Sequence, residues 1–223
     1  MILVVDTETT GLFSETDRVC ELAAVEVLTP GVGNGATYNY LVNPGRSIPA
    51  EASAVHHITD EDVEKAMSLP EACALLPGSK AEAYAAHNAA FDKGFLKGLP
   101  ERPWVCSWKC AMAVWPDAPG YGNQVLRYYL GFSVPVAGGR GAFPHSALYD
   151  ALTTAGILLR LLEVKPLEEL IKISSEPVLL RRMPFGKHKG MLFKDVPRDY
   201  LRWLFRQTDL DEDLVHTLKH HLP

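Results

Sequence analysis

The chain has 223 residues, 47% of them hydrophobic and 22% charged, which suits a folded domain with a sizeable core and excludes a disordered one. The net charge is −5, but residues 181–223 hold 9 Lys/Arg against 6 Asp/Glu, whereas residues 1–180 hold 13 against 21. An acidic body that attracts cations and a basic tail that attracts phosphate give this division. No secretory leader or membrane span is expected, because MILVV runs at once into Asp6 and Glu8 and the later run GILLRLL is broken by Arg160. The four cysteines make no zinc-finger spacing and no disulfide framework, so reduced thiols in a cytoplasmic protein are expected.

ILVVD is a continuous apolar run rich in β-branched residues, the mark of a central strand buried on both faces. VCELAAVEVL and ATYNYLV lie on either side of the cluster PGVGNG, which predicts a hairpin and hence a three-stranded opening meander. Residues 50–77 read as helical. EAYAAH is a short strand, and NAAFDKGFLKGL a helix with Phe91, Phe95 and Leu99 along one stripe and Gly98 at its end.

WVCSW reads as another strand, NQVLRYYLG as a helix closed by Gly131, and VPVAGGRGAFP as a loop. SALYDALTTAGILLRLLE is a long helix whose stripe runs through Leu148, Ala151, Leu152, Ala155, Leu158 and Leu162. Strands first, then alternating strands and helices, predict an α/β fold: a mixed sheet flanked by helices. Three segments are expected. They are a main domain over 1–165, a connector over 166–180 with a short helix between Pro166 and Pro177, and a small α/β module over 181–223. Val196, Tyr200, Leu201, Trp203 and Leu204 read as the core of that module.

The chemistry gathers at five positions. Asp6 and Glu8 sit two residues apart at the end of the first strand, so both carboxylates project to one face. Two like charges in partly apolar surroundings are unfavourable unless one protonates or a cation joins them. Taken alone, D-x-E is a solvated strand end. Asp92 falls on the first turn of a helix directly after a strand, where negative charge is tolerated. His145 precedes the long helix, and Asp150 lies inside it beside the apolar stripe.

Asp6/Glu8, Asp92 and His145/Asp150 together resemble the three motifs of the DnaQ-like 3′→5′ exonucleases, in the DEDDh branch. T-x-T-G-L after Asp6, VHHIT at 55–59 and H-N-x-x-F-D extend the match. The resemblance implies an RNase H-like fold and hydrolysis of phosphodiesters with two divalent cations, Mg²⁺ or Mn²⁺, which prefer hard oxygen ligands. It implies that Asp6, Glu8 and Asp150 hold one ion, that Asp6 and Asp92 hold the second, and that His145 is the general base. It further implies contacts to the terminal nucleotide from Thr9, Gly11, Leu12, His56, Asn88 and Phe91. His57 duplicates His56, and His56 is preferred because Val55, Ile58 and Thr59 then fall into register. Phe91 is equally well read as a core residue beside Phe95.

FGKHKG and V-P-x-x-Y-L-x-W-L resemble the C-terminal module of the exodeoxyribonuclease X group of that family, with Arg181, Arg182, Lys187 and Lys189 as candidate phosphate contacts. The expected partner is a nucleic-acid 3′ end, DNA ahead of RNA, in DNA repair or processing, with no membrane and with a dimer left open. Two rivals remain at this stage. One is an RNA exonuclease of the oligoribonuclease or ribonuclease T type. The other is a non-catalytic adaptor that binds nucleic acid or a polymerase, ranked below because all four acids and the histidine are present.

Overall fold

The computed structural model of the chain describes residues 1–28, 33–135, 143–208 and 210–222. It divides into two compact units, Met1–Ser174 and Ser175–Pro223. Half of the turn expected in PGVGNG and most of the loop expected at 134–144 lie outside the described residues.

The first unit is built on a five-stranded sheet in the order β3-β2-β1-β4-β5. The strands are β1 (Ile2–Thr9), β2 (Val19–Leu28), β3 (Gly33–Leu41), β4 (Ala83–Ala86) and β5 (Trp104–Cys106). β1, β2 and β3 form the antiparallel meander, and β4 and β5 join β1 in parallel. The central place of β1 follows from its sequence, since Ile2, Leu3, Val4 and Val5 are all fully buried. Ile2 and Val4 belong to the core on one face of the sheet, and Leu3 and Val5 to the core on the other.

Helices α1 (Ala50–His56), α2 (Asp60–Val63) and α3 (Leu69–Leu75) fill the stretch between β3 and β4. Reciprocal side-chain bonds cap two of them, Thr59 with Asp62 and Ser68 with Glu71. α4 (Ala89–Phe95) follows β4 and stops before Gly98. After α5 (Ser107–Val114) and α6 (Asn123–Tyr129), Gly131 takes the left-handed conformation expected of a helix stop.

The long helix, α7 (Ala147–Leu162), packs across β1 and β2. Its buried face is wider than the predicted stripe. It includes Ile157 and Leu161, while Leu148 and Leu162 are only partly covered. α8 (Leu167–Ser175) lies where a connector was expected, yet Leu170 is fully buried in the same core as α7. An amphipathic helix with a buried leucine docks on its neighbours rather than acting as a linker.

The second unit contains α9 (Arg198–Leu204) and α10 (Glu212–His221). Its expected α/β character is reduced, among the described residues, to a single antiparallel bridge between Arg182 and Leu192. Pro184, Gly186 and Gly190 interrupt the intervening segment too often for a longer ladder. Val196, Leu201 and Leu204 are buried as expected of a core, but Trp203 is 54% exposed and stands outside it. Asp211 caps α10 by accepting from the N–H groups of Asp213 and Leu214, and the buried Asp213 accepts from Val178 N–H at 2.8 Å. Among the described residues no helix of either unit is long and apolar enough to cross a membrane. All four cysteines are buried free thiols.

One half-buried polar link in the first unit carries a pH dependence. The His87 ring meets Ser107 Oγ at 2.8 Å through Nδ1 and the Tyr121 carbonyl at 2.8 Å through Nε2. A carbonyl only accepts, so Nε2 carries the proton, Nδ1 accepts from the serine hydroxyl, and the ring is neutral. Burial lowers its pKa to about 4, against a partial opposing effect of the Tyr121 carbonyl. An unfolded histidine protonates near pH 6.5, so its contribution is full above that pH and is lost as pH falls toward 4. Urea titrations should show His87→Gln losing less stability than the unmodified protein between pH 7 and pH 4.5, by on the order of 2 kcal/mol.

Candidate active site

The two-residue spacing in DTET places Asp6 and Glu8 on the α7 side of β1, the side that Ile2 and Val4 also face. One ligand oxygen from each of Asp6, Glu8 and Asp150 lies within 4.8 Å of the others, an arrangement able to hold a metal ion. Asp150 comes from the first turn of α7, and its Oδ2 accepts the backbone N–H of His145 at 2.9 Å. Gln124 Nε2 reaches its Oδ1 at 3.5 Å, and Asn123 Nδ2 donates to its carbonyl at 3.2 Å. His145 is exposed and holds a left-handed backbone, with φ 64°.

Asp92 stands outside that triplet. It is buried on α4 and its Oδ1 accepts the Thr7 hydroxyl at 2.9 Å. Thr7 lies between Asp6 and Glu8 in β1, so its side chain points to the opposite face of the sheet. The strand thus offers two carboxylates to one side and orients a third from the other.

The sequence reading passed over one acid. Glu21 of β2 pairs directly with Glu8 of β1 and is only 1% exposed. Its Oε2 accepts the N–H of Ala147, the first residue of α7, at 2.9 Å, and its Oε1 is buried with no hydrogen-bond partner among the described residues. Directly opposed like charges destabilise a strand pair. A lone glutamate in the apolar run VCELAAV was the available signal, since charged residues are seldom fully buried without a partner. A register shift between Glu8 and Thr9 ends the regular pairing immediately beyond these acids.

The electrostatics follow from that crowding. Burial raises the pKa of Asp6 well above the carboxylate range, and the charges of Asp92, Asp150, Glu8 and Glu21 raise it further. Glu8 is pushed up to about 8 by burial and then by Asp150, Glu21 and Asp92. Asp92 rises to about 7 through burial, against the opposing bond from Thr7. Asp150 is also raised by burial, and the backbone N–H and the charge of His145 pull it back. An all-oxygen donor set that resists being fully ionised at neutral pH suits a hard divalent cation. The unpartnered Glu21 Oε1 fits the same reading.

The loop after β1 is tied to Asp17, which accepts from the Thr10 hydroxyl and the Phe13 N–H. Gly11 is required there, since a Cβ would come within 2.5 Å of the Asp17 carboxylate. Thr9 is buried and donates to the Gly11 carbonyl at 2.6 Å, while Leu12 is 76% and Phe13 68% exposed. Asn88 is exposed in a left-handed conformation at the start of α4. Phe91 is partly buried, its ring 5.0 Å from that of Phe95, in keeping with its reading as a core residue. His56 is expected to contact the terminal nucleotide. It is buried, with Nδ1 accepting from Ile58 N–H and Nε2 3.7 Å from Cys20 Sγ, and the exposed histidine is His57. The helix end forces this, because His57 takes the left-handed turn and His56 faces inward.

Comparisons with known proteins agree with this architecture. Residues 3–158 match the family model described as Exonuclease. The chain is 36% identical to exodeoxyribonuclease 10 of Escherichia coli (strain K12), over 100% of this chain and 99% of that protein. The chain therefore belongs to the DnaQ-like exonuclease family, and it is a nuclease of the RNase H-like fold. Among solved structures, exonuclease X in complex with 5′-overhanging duplex DNA is 32% identical, with a TM-score of 0.65, over 78% of this chain and 100% of that one. The nuclease domain of a DEDDh family member bound to rAMP shares the fold, at 16% identity and a TM-score of 0.58, over 73% and 91%. A second family model, whose description names a quorum-sensing-regulated virulence factor, matches residues 168–219.

Glu21→Gln removes a buried negative charge while keeping an acceptor for Ala147. In chelator at pH 8 it should raise the melting temperature by about 2–4 °C, equivalent to about 1 kcal/mol. The stabilisation on adding Mn²⁺ should shrink in the same variant, as differential scanning fluorimetry would show.

Proposed function

We propose that the protein removes nucleotides one at a time from the 3′ end of DNA, releasing 5′-mononucleotides by phosphodiester hydrolysis. The observation that carries this reading is the group of Asp6, Glu8 and Asp150 oxygens at the end of β1, with His145 bonded to Asp150. DNA as the polymer is supported by the name of the exodeoxyribonuclease similar along the whole chain and by the duplex in the exonuclease X structure.

Asp6, Glu8 and Asp150 would hold one divalent cation, Mg²⁺ or Mn²⁺, and Asp6 with Asp92 a second. Two such ions, when bound, supply the positive charge that stabilises the attacking and leaving oxygens of an in-line displacement. His145 acts as the general base, its exposed imidazole taking the proton of the attacking water. The bond from its backbone to Asp150 keeps that ring tethered beside the acids. Thr7 holds the Asp92 carboxylate in place through its hydroxyl.

Thr9 and Gly11 meet the terminal sugar, and the exposed Leu12 packs on the terminal base, a contact that tolerates any base. Asn88 and Phe91 at the start of α4 add to that surface. His56, held inside by Cys20 and Ile58, supports it rather than touching the nucleotide. The first unit is then the nuclease and the second an accessory module, where Arg181, Arg182, Lys187 and Lys189 meet phosphate. In that group Arg182 also donates to the Gly190 carbonyl at 2.8 Å.

With Mg²⁺, the full chain should shorten a 5′-labelled single-stranded DNA oligonucleotide stepwise from its 3′ end, and a matched RNA more slowly. Asp6→Asn should abolish the ladder, and His145→Ala should lower kcat by about 10²–10⁴-fold with an unchanged melting temperature. Faster hydrolysis of the RNA would move the substrate to that polymer, and no hydrolysis of either with Mg²⁺ or Mn²⁺ would end the reading.

A further inference from the structure

The positive charge of the second unit is more concentrated than its total suggests. Residues 181–206 hold 8 Lys/Arg against only Asp195 and Asp199. Of the unit's remaining acids Glu176 precedes this stretch and the others follow residue 206, where Asp211 and Asp213 are engaged by backbone N–H groups. They cap and anchor α10.

Arg198, Arg202 and Arg206 recur every fourth position along α9 and its continuation, which aligns them on one face at a stride of about 6 Å. The opposite side of the helix is buried through Leu201 and Leu204. Arg198, Arg202 and Arg206, with Phe205 and Leu222, line a cavity of about 250 Å³. Among the described residues no carboxylate lines it. Arg202 has an exposed partner, Asp199, at 3.6 Å, a contact worth little in water. Among the described residues the side chains of Arg198 and Arg206 have no ion pair or hydrogen bond.

Like charges at a spacing of four residues oppose helix formation. Three arginines kept in such a row, around a cavity that no acid among the described residues lines, are arranged for an anion from outside. The surroundings narrow the anion further. Trp203 follows Arg202 on the neighbouring face of α9, 54% exposed and 5.3 Å from the Tyr200 ring, and Phe205 in the lining is 42% exposed. Cations at a regular stride beside exposed rings are the chemistry of single-stranded nucleic acid, whose phosphates repeat along the chain and whose unpaired bases stack.

We propose that this face of the second unit is a single-strand binding site, in which Arg198, Arg202 and Arg206 take consecutive phosphates and Trp203 stacks on a base. The proposal rests on the nucleic-acid reading of the first unit for its biological polymer. It is independent of the four basic residues between Arg181 and Lys189.

The test measures binding of the full chain to a fluorescent 12-nucleotide single strand in chelator, where hydrolysis stops, across a salt series. Replacing all three arginines by Gln should weaken binding at least about tenfold near 0.1 M salt. It should also reduce the slope of log affinity against log salt by about 2, at roughly 0.7 for each single-strand phosphate contact. Trp203→Ala should weaken binding with the slope unchanged. If the triple variant loses its helical signal, Arg198→Gln with Arg206→Gln answers the same question with a slope change of about 1.4.

An unchanged slope and affinity would overturn the proposal. So would loss of binding to inorganic phosphate or a free 5′-mononucleotide with the oligonucleotide unaffected, since the site would then take a free anion. Hydrolysis of p-nitrophenyl thymidine 5′-phosphate should be the same in the triple variant and the unmodified protein. Should the nuclease reading fail, neither protein cleaves that ester, while the binding slope still reports on the arginines.

Discussion

Repulsion among buried and half-buried carboxylates is the constraint around which the first unit is arranged. Asp6, Glu8, Glu21, Asp92 and Asp150 converge on the end of one central strand, and burial and mutual charge act in the same direction on Asp6 and Glu8. Among the described residues no lysine or arginine pairs with any of them. A cluster of this kind would relax by moving apart if the backbone allowed it. β1 does not allow it, because its first residues are buried on both faces and bonded to β2 on one side and β4 on the other.

The remaining acids are held from separate elements, each by a modest device. Asp150 lies on a 16-residue helix whose buried face runs nearly its whole length, so the carboxylate cannot shift without the core. The N–H groups of His145 and Ala147, at the start of that helix, point at Asp150 and Glu21 respectively. The Ala147 N–H is one of the donors a helix N-terminus leaves unsatisfied, and the His145 N–H, just ahead of the helix, favours the ionised form of Asp150. Asp92 is tied through Thr7 to the strand that carries Asp6. The result keeps the acids close while leaving their charge uncompensated, which is a state a divalent cation resolves and a core does not need.

Legibility in the sequence followed the strength of the local signal. The buried central strand could be read from ILVVD, because only a strand covered on both faces uses such a run, and Asp6/Glu8 could be read from the alternation at its end. Asp92, His145 and Asp150 became readable only as a set, since each alone is an ordinary capping or surface residue. Glu21 was not readable as part of the site, because its significance lies in cross-strand pairing with Glu8, a long-range fact that no window around VCELAAV contains. His56 had the right motif, but its inward orientation is decided by the left-handed turn at His57. The helix between Pro166 and Pro177 is legible as α8, but the flanking prolines signal a boundary without telling that Leu170 reaches the core. Trp203 was assigned to the small core on hydrophobicity, whereas the helical period puts Leu201 and Leu204 inside and leaves the indole out.

The two units use unneutralised charge in the same physical way with opposite sign. A chain selected only for stability would pair its buried acids or replace them, and would place glutamates four residues from its arginines, where each pair adds a few tenths of a kcal/mol. Among the described residues, the clustered acids of the first unit are kept together without a lysine or arginine partner, and in the second unit the side chains of Arg198 and Arg206 are kept in line without an acid partner, while Asp211 and Asp213 serve elsewhere. Those two aspartates are committed to α10, one as its cap and one as the acceptor for Val178. Charge withheld from intramolecular pairing at both places is stabilised only when something of the opposite sign arrives. A phosphodiester chain with its divalent cations brings both signs at once, the metal for the carboxylates and the phosphate for the arginines.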